Sequence, residues 1–357
     1  MSFAQILSGL DAKARDKLDR KLPSWAGRGV QVPSSINLEQ CSSETAALYK
    51  ASLIDAGVRV ADLTGGLGAD SWAFSGRASA VWYNERDAAL LEAVKHNFAA
   101  LELTNVEFNC YDISASADDW KQALNAFRPD FIYLDPARRG AGGQKLFLLE
   151  DCSPDVVALM PELLAIAPRV MVKVSPMADL TMLRRRLSPY LESIHVVGAD
   201  GECKELLCLC RQDASFSGIV LSENGRISYG PDSASVPPES GRQEPDSASA
   251  ELLFVPSAAM VKSGLGPGLC LMGYDEELSH FGKFWQVVEN LPFASSVLKS
   301  VGARYPQADV TARGVPVSSD ELRKKMKTKP GGPVHIFACA IGSDRRILVC
   351  RPLVGQG

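Results

Sequence analysis

The sequence has 357 residues, of which 46% are hydrophobic and 22% are charged, and its formal net charge is −4. These values are typical of a soluble globular protein with two or three domains, and no apolar run approaches the length of a membrane span. They exclude a chain that binds nucleic acid as a polycation along its whole length.

The nine cysteines are irregularly spaced and include no CxxC pair. Zinc ligands and disulfide frameworks normally show regular spacing, so we predict reduced thiols, mostly in the core. This use of cysteine is typical of the cytoplasm. The four histidines are scattered along the chain, and we predict no metal site.

Residues 1–50 are predicted to form an N-terminal helical segment, and the helix that starts near its end stops at Gly57. Strand and helix patterns alternate in the domain predicted over residues 51–212. The predicted strands cover residues 58–63, 78–85, 106–112, 129–136 and 168–176. A helix between the last two is predicted to break near Pro161. Such alternation indicates a doubly wound parallel sheet. Two further strands flank Asp200-Gly201 and predict a hairpin that adds an antiparallel edge strand.

Residues 213–281 break the alternation. They predict a hairpin that turns at Asn224-Gly225, an acidic Ser/Pro-rich disordered loop over about residues 230–250, and a small ferredoxin-like piece. Residues 282–357 predict a small α+β unit with helices over 295–303 and 318–327 and three strands.

The charge is unevenly distributed between the two ends of the chain. Residues 301–357 hold ten Lys or Arg against four Asp or Glu, a net charge of +6, which leaves −10 for residues 1–300. A basic C-terminal region after an acidic remainder of the chain favours a polyanionic partner for that region. The alternative is that the basic side chains only form a solvated helix face. The candidate RNA-binding residues here are Arg323, Lys324, Lys325, Lys327 and Lys329.

A glycine-rich loop, DLTGGLG, joins the first predicted strand to a helix. It resembles the first motif of class I S-adenosylmethionine methyltransferases, with Asp62 ending the strand and Gly66 and Gly68 on the usual glycines. Thr64 replaces an earlier glycine. A dinucleotide-binding loop is the alternative, but it requires a third glycine where this chain has Ser71.

Two more acids follow the next predicted strands, Glu85 after the second and Asp112 after the third. Glu85 suits ribose hydroxyls, and in methyltransferases a carboxylate at the position of Asp112 meets the adenine amino group. Each acid alone could instead be a helix N-cap, but three acids at successive strand ends favour a ligand site.

The segment DPARRG follows the fourth predicted strand, where methyltransferases place the residue that faces the methyl group. Asp135 can accept a hydrogen bond from an amino group or orient the nucleophile, and Pro136 stiffens the loop. Arg138 and Arg139 could bind the carboxylate of the donor or a substrate phosphate. Lys173, on the next strand, could place charge near the donor or be tied to Asp135.

DPARRG also resembles the DPPR-x-G signature of RNA 5-methyluridine methyltransferases. Those enzymes carry a nucleophilic cysteine after the next strand, and Val174 takes its place here. Valine cannot attack a pyrimidine carbon, and Cys152 is predicted to be a core residue. We therefore predict direct transfer to a base nitrogen or a ribose hydroxyl, which requires positioning and modest base help.

Taken together, the motifs resemble one family, the bacterial S-adenosylmethionine-dependent methyltransferases of the Bacteroidetes type with a C-terminal THUMP-like domain. The matching segments include LEQCSSETAALYKA, ADLTGGLGAD, YLDPARRG, VKVSPMADL, ECKELL and VSSDELRKKMKTKPGGPVHIFACAIG. In that family LEQCSSE lies beside the donor pocket, so Gln40 and Ser42 are further candidates for the S-adenosylmethionine site. Asp70, at the end of the glycine-rich motif, is another.

The resemblance implies a Rossmann-like α/β fold with a class I methyltransferase sheet, followed by a small THUMP-like α+β domain. It also implies a methyltransferase that acts on tRNA or rRNA, because THUMP modules of other enzymes present tRNA. A methyltransferase for a protein or a small molecule, and a non-catalytic RNA-binding protein that keeps a donor pocket, remain alternatives.

Overall fold

A twisted sheet of nine strands forms the centre of the N-terminal part of the computed structural model, which describes residues 12–113, 118–138, 149, 152–229 and 252–353. The strands before residue 231 are β1 (Arg59–Asp62), β2 (Ala80–Asn84), β3 (Val106–Asn109), β4 (Phe131–Leu134), β5 (Ala137–Arg138), β6 (Cys152–Ser153), β7 (Arg169–Val174), β8 (Leu191–Ala199), β9 (Glu202–Cys210), β10 (Gly218–Glu223) and β11 (Arg226–Tyr229). The order in the large sheet is β11-β10-β8-β9-β7-β4-β1-β2-β3, and β5 pairs with β6 apart from it. Because β1, β2, β3, β4 and β7 are mutually parallel, their carboxyl ends meet at one edge of the sheet. The predicted doubly wound fold is confirmed.

Helices connect the parallel strands, and several begin at a side-chain cap. They are α1 (Ala12–Lys21), α2 (Ser35–Gln40), α3 (Glu44–Ser52), α4 (Ala69–Ser75), α5 (Ala88–Ala100), α6 (Asp119–Phe127), α7 (Val156–Ile166) and α8 (Leu180–Leu187). Ser43 caps α3, Asp87 caps α5 and Asp179 caps α8, each by accepting a hydrogen bond from a backbone amide of the first turn. These caps satisfy amide groups that have no partner within the helix.

The N-terminal helices pack against the sheet through aromatic and aliphatic side chains. Trp25 is fully buried and meets the ring of Trp72 edge-on, with 6.2 Å between the ring centroids. The Lys21 ammonium donates to the carbonyl oxygens of Leu38 and Glu39 at the end of α2. This contact joins α1 to the last turn of α2, where a positive charge is favourable.

The hairpin at Asp200-Gly201 was predicted to form an edge of the large sheet, but it lies inside the sheet. Strand β9 lies between β7 and β8 and is antiparallel to both, as predicted, but β8 is followed by the parallel strand β10 and then by β11. An open β8 would leave a row of unpaired backbone groups, and β10 satisfies them. The hairpin at Asn224-Gly225 therefore extends the large sheet, whereas residues 252–281 belong to the second sheet.

Two local predictions also differ from the structure. Helix α7 continues through Pro161, because Met160, Leu163 and Leu164 are buried on its apolar face and hold it against the core. One missing amide hydrogen bond is tolerated when packing holds both halves of a helix in place. Strand β3 ends at Asn109, three residues before Asp112, so this acid lies in a loop rather than at the strand end.

Residues 252–353 form a second sheet with its own helices. Its strands are β12 (Leu252–Pro256), β13 (Cys270–Met272), β14 (Gly282–Pro292), β15 (Asp309–Arg313), β16 (His335–Ile341) and β17 (Asp344–Pro352), in the order β13-β12-β14-β17-β16-β15. The helices are α9 (Ala258–Ser263), α10 (Glu276–Ser279), α11 (Ser295–Arg304) and α12 (Ser319–Met326). Leu298, Val301, Leu322 and Met326 of α11 and α12 share one cluster with Ile336 of β16.

The chain therefore forms two compact units that divide near residue 231. The predicted disordered loop at about residues 230–250 lies outside the described residues. Among the helices that the structure describes, none is long and apolar enough to cross a membrane.

Candidate active site

The glycine-rich loop between β1 and α4 packs so closely that two of its glycines have no space for a side chain. A Cβ atom on Gly65 would lie 2.0 Å from Cε2 of Tyr83, and one on Gly68 would lie 2.7 Å from Cε1 of Phe98. Gly66 and Gly68 also have φ angles of +55° and +88°, in the left-handed region that favours glycine. The rings of Tyr83 and Phe98 and the left-handed backbone therefore require glycine at these positions of the loop.

Side chains from the end of β2 hold this loop in place. The amide of Gly66 donates to Oε2 of Glu85 (3.0 Å), and the Tyr83 hydroxyl donates to the carbonyl oxygen of Gly66 (2.5 Å). The buried Asn84 amide group donates to the carbonyl oxygens of Leu63 and Tyr111, and its Oδ1 accepts from the Tyr111 amide. Asn84 thus ties together the segments that follow β1 and β3, a role that the sequence analysis missed.

Asp62 is fully buried at the end of β1 and bonds within the loop. Its carboxylate accepts hydrogen bonds from Oγ of Ser71 (2.6 Å) and from the amide of Thr64 (3.1 Å). Burial raises the pKa of Asp62 to about 7; the nearby Asp70 and Asp135 carboxylates act in the same direction, and the two hydrogen bonds oppose it. The carboxyl group closes the turn of the loop, and it caps no helix.

Asp135 follows β4 and is joined to both neighbouring strands. Its amide donates to Oγ1 of Thr64 (2.6 Å), and its Oδ2 accepts a hydrogen bond from Nζ of Lys173 on β7 (2.6 Å). Its side chain is 37% exposed, so part of the carboxylate faces away from the protein interior. Pro136 is buried next to it, and the backbone of Ala137 and Arg138 pairs with Cys152 and Ser153. The Arg138 side chain and all of Arg139 lie outside the described residues.

Lys173 is paired with acidic groups and is not a proton acceptor. Burial lowers its pKa, but the carboxylates of Asp135, Glu205 and Asp70 outweigh burial and raise the pKa of Lys173 above its ordinary value. The lysine therefore remains a cation at neutral pH and holds Asp135. Of the two roles open to Lys173 from the sequence, the structure shows the tie to Asp135.

A second, fully buried lysine lies behind this pair. Lys50 of α3 places its Nζ 2.5 Å from Oε1 of Glu205 on β9 and 3.1 Å from Oδ1 of Asp70 on α4. It also donates to Oγ of Ser42, and the hydroxyls of Ser42 and Tyr133 both donate to Oδ2 of Asp70. Burial raises the pKa of Asp70, but Lys50 and Lys173 outweigh it and hold the pKa below its ordinary value.

These contacts bring most of the predicted donor-site residues to one end of the parallel strands. The group consists of Ser42, Asp62, Thr64, Gly66, Gly68, Asp70, Glu85, Asp135 and Lys173. Gln40, at the end of α2, and Asp112, in the loop after β3, are both exposed. Lys50 and Glu205 were not predicted, since a buried lysine or glutamate cannot be told from a surface one without knowledge of its neighbours.

The predicted RNA-binding side chains lie in the second unit, on and after α12. Arg323 pairs with Asp320, whereas Lys324, Lys325, Lys327 and Lys329 are exposed. Ser318 and Glu321 form a capping box that starts this helix. In the part of the chain that the structure describes, no group of three or more acidic, histidine or cysteine side chains could hold a metal ion.

Comparisons with known proteins show what this chain is similar to. A family model described as THUMP domain-like matches residues 282–352. The crystal structure of a protein from Porphyromonas gingivalis W83, assigned as a methyltransferase, is 28% identical with a TM-score of 0.76, and the match covers 99% of this chain and 95% of that one. Two proteins from Mycobacterium tuberculosis, of strains CDC 1551 and H37Rv, are named S-adenosylmethionine-dependent methyltransferases. Each is 24% identical over 342 residues, which cover 88% of this chain and 87% of theirs. These matches confirm the predicted combination of a methyltransferase fold, S-adenosylmethionine as the cofactor and a C-terminal THUMP-like domain.

Proposed function

Because this chain is an S-adenosylmethionine-dependent methyltransferase with a C-terminal THUMP-like domain, we propose that it methylates tRNA or rRNA in the cytoplasm, by direct transfer to a base nitrogen or a ribose hydroxyl. The observation that carries this proposal is the position of Asp135. Its partly exposed carboxylate is fixed by Lys173, and its backbone amide donates to Thr64 of the glycine-rich loop. A nucleophile that meets Asp135 is therefore next to the donor.

The residues present fit S-adenosylmethionine. The loop around Gly66 and Gly68 offers bare backbone, and Glu85 keeps acceptor capacity for ribose hydroxyls beyond its two bonds to the amides of Gly66 and Asp87. Gln40 and Asp112 are exposed and are the proposed outer contacts of the donor, while Asp62, Thr64, Ser42 and Asp70 shape the site through their internal bonds. The bound donor supplies an electrophilic methyl group on a sulfonium centre.

Direct transfer agrees with the chemistry of the side chains around Asp135. Val174, at the end of β7, is buried and offers no nucleophile. Burial raises the pKa of the Cys41 thiol, so this residue is not a thiolate at neutral pH. The carboxylate of Asp135 accepts a hydrogen bond from the N–H or O–H group of the substrate, orients this nucleophile toward the methyl group, and takes up the proton that the nucleophile loses on transfer.

The proposed RNA partner rests on the second unit. Its exposed lysines, Lys324, Lys325, Lys327 and Lys329, lie on and just after one short helix within a segment of net charge +6. Lysines in this arrangement suit the phosphate groups of RNA, and such binding weakens steeply with salt.

Methyl transfer from radiolabelled donor into total RNA of a strain that lacks the gene tests the proposal. We expect label in tRNA or rRNA with the wild type, and a loss of at least about a hundredfold in turnover for Asp135→Asn with the donor Kd unchanged. Asp130→Asn is the matched control, since Asp130 precedes the same strand and bonds the Arg59 amide at the opposite end of β4. Donor binding without label in any RNA would contradict the proposal and point to a protein or small-molecule substrate.

A further inference from the structure

Glu205 is a buried carboxylate that lies near two lysines of the candidate active site, the fully buried Lys50 and the partly buried Lys173. Its side chain is 4% exposed and sits on the central strand β9, opposite Val197 of β8. Oε1 lies 2.5 Å from Nζ of Lys50, and Oε2 lies 3.9 Å from Nζ of Lys173. Isolated burial of a carboxylate is so unfavourable that a glutamate in this position requires both cations nearby.

Among the residues that the structure describes, charged groups from several elements lie around Asp135. They are Asp62 of β1, Asp70 of α4, Lys173 of β7 and Glu205 of β9, with Lys50 of α3 behind them, while Lys21 of α1 adds charge near Lys173. Lys50 and Lys173 are the cations that pair with Asp70, Glu205 and Asp135, and Asp135 is the most exposed member of the network formed by these ion pairs.

Lys173 is placed between two carboxylates, and this arrangement limits how it can hold Asp135. Its ammonium is 2.6 Å from Oδ2 of Asp135 and 3.9 Å from Oε2 of Glu205. The ammonium bonds Oδ2 of Asp135, and Glu205 is a second, more distant carboxylate that competes for the same positive charge. Loss of Glu205 removes this competition, so the ammonium would then be held by the Asp135 carboxylate alone.

We propose that Glu205 is a positioning residue of the transfer reaction, which shares Lys173 with Asp135 and thereby leaves one Asp135 oxygen for the nucleophile of the substrate. This inference rests on the proposed function only in that Asp135 meets the substrate. Lys50 supports this arrangement in two ways. It neutralises Glu205, and it joins Glu205 to Asp70, which lies on α4, the helix that follows the glycine-rich loop.

Glu205→Gln tests the proposal in the full-length protein with the RNA substrate. We expect a loss of about tenfold to a hundredfold in kcat, because the lysine and the carboxylate move relative to each other. The donor Kd and the KM for RNA should stay within about twofold, since Glu205 contacts neither ligand. Glu205→Asp should recover part of kcat. Glu202→Gln, on the same strand but exposed and paired with Lys204, is the matched control. A wild-type kcat for Glu205→Gln would overturn the inference.

A double variant separates positioning from the neutralisation of Lys50. Lys50→Gln combined with Glu205→Gln removes one charge of each sign, and the two amides can still bond each other, while Asp70 keeps its hydrogen bonds from Ser42 and Tyr133. We expect kcat to remain low, because Lys173 has still lost its second carboxylate. Recovery of wild-type kcat in the double variant would show that Glu205 acts only through Lys50 and would overturn the proposal.

A spectroscopic measurement tests the geometry without any substrate. In protein labelled with ¹⁵N at lysine Nζ, the Lys173 signal is assigned by its loss in Lys173→Met. We expect this signal to shift in Glu205→Gln and in the double variant but not in Glu202→Gln. An unmoved Lys173 signal overturns the inference even if RNA is methylated. A shifted signal in a protein that methylates no RNA upholds the tie between Glu205 and Lys173 and rejects only the proposed substrate.

Discussion

Gly65 shows how one absent side chain shapes the donor loop. The ring of Tyr83 occupies the space that a Cβ atom would need, and the hydroxyl of the same tyrosine holds the carbonyl oxygen of Gly66. Tyr83 in turn packs edge-on against Phe98 and Phe108, so the ring cannot move freely. Rigid packing at this point fixes the path of the loop backbone.

Gly65→Ala should therefore weaken donor binding by about tenfold or more, because the methyl group displaces Tyr83 and with it the bond to Gly66. Gly76→Ala, at the other end of α4, is the control, since its Cβ meets only the Ala73 carbonyl oxygen at 3.5 Å. Isothermal titration with S-adenosylmethionine measures both. Equal donor affinity in the two variants would mean that this contact does not shape the donor site.

Helix α12 shows how one element can present charge on a stable scaffold. Leu322 and Met326 bury one side of the helix, and Met326 lies so close to α11 that a Cβ on Gly302 would be 2.0 Å from its carbonyl oxygen. The opposite side carries exposed lysines, and Lys327 ends the helix in the left-handed conformation. Packing therefore fixes the helix while its lysines remain free to meet phosphate.

Lys324→Gln combined with Lys325→Gln should reduce RNA affinity and lower the slope of log Kd against log salt by about two, one for each lost phosphate contact. Donor affinity should not change. Lys283→Gln with Lys299→Gln removes the same charge from exposed positions of the same unit and serves as the control. Equal salt slopes for the two double variants, measured by filter binding at several salt concentrations, would argue against α12 as the RNA-binding element.

Two buried groups, His195 and Asp62, make the free energy of unfolding depend on pH. Their contributions have opposite signs. Burial lowers the pKa of His195 to about 4, and its Nδ1 lies 2.7 Å from the Tyr49 hydroxyl. The unfolded chain binds this proton more readily, so His195 makes stability fall as the pH drops from about 6.5 toward 4. Asp62 has a raised pKa, of about 7. The folded protein retains that proton longer, so Asp62 makes stability fall as the pH rises from about 4 to 7.

Urea denaturation of single variants at pH 5 and pH 7 should separate these effects. Relative to the wild type, Asp62→Asn should gain about 2 kcal/mol in free energy of unfolding between pH 5 and pH 7, because the penalty of ionising Asp62 is gone. His195→Gln should lose about 2 kcal/mol over the same interval. If both differences from the wild type were independent of pH, neither group would titrate as its burial implies.

Much of this architecture could be predicted from the sequence because it depends on local patterns. Buried strands such as residues 131–134, the glycine-rich loop, and the positions of Glu85 and Asp135 are set by neighbouring residues, through burial period, turn chemistry and helix caps. In a parallel sheet, residues that follow successive strands must meet at one edge, so the candidate site could be predicted from their order along the chain.

Contacts between residues that are distant in the sequence were decided by the tertiary structure alone. The pairing of β10 with β8 joins residues about 25 apart, and local sequence does not state which sheet edge is open. In the same way, Lys50 and Glu205 lie 155 residues apart in the chain yet form one buried ion pair. The sequence by itself determined which residues could do the chemistry. The fold decided that Lys173 serves as a fixed cation, because only packing brings the carboxylates of Asp135 and Glu205 to one ammonium.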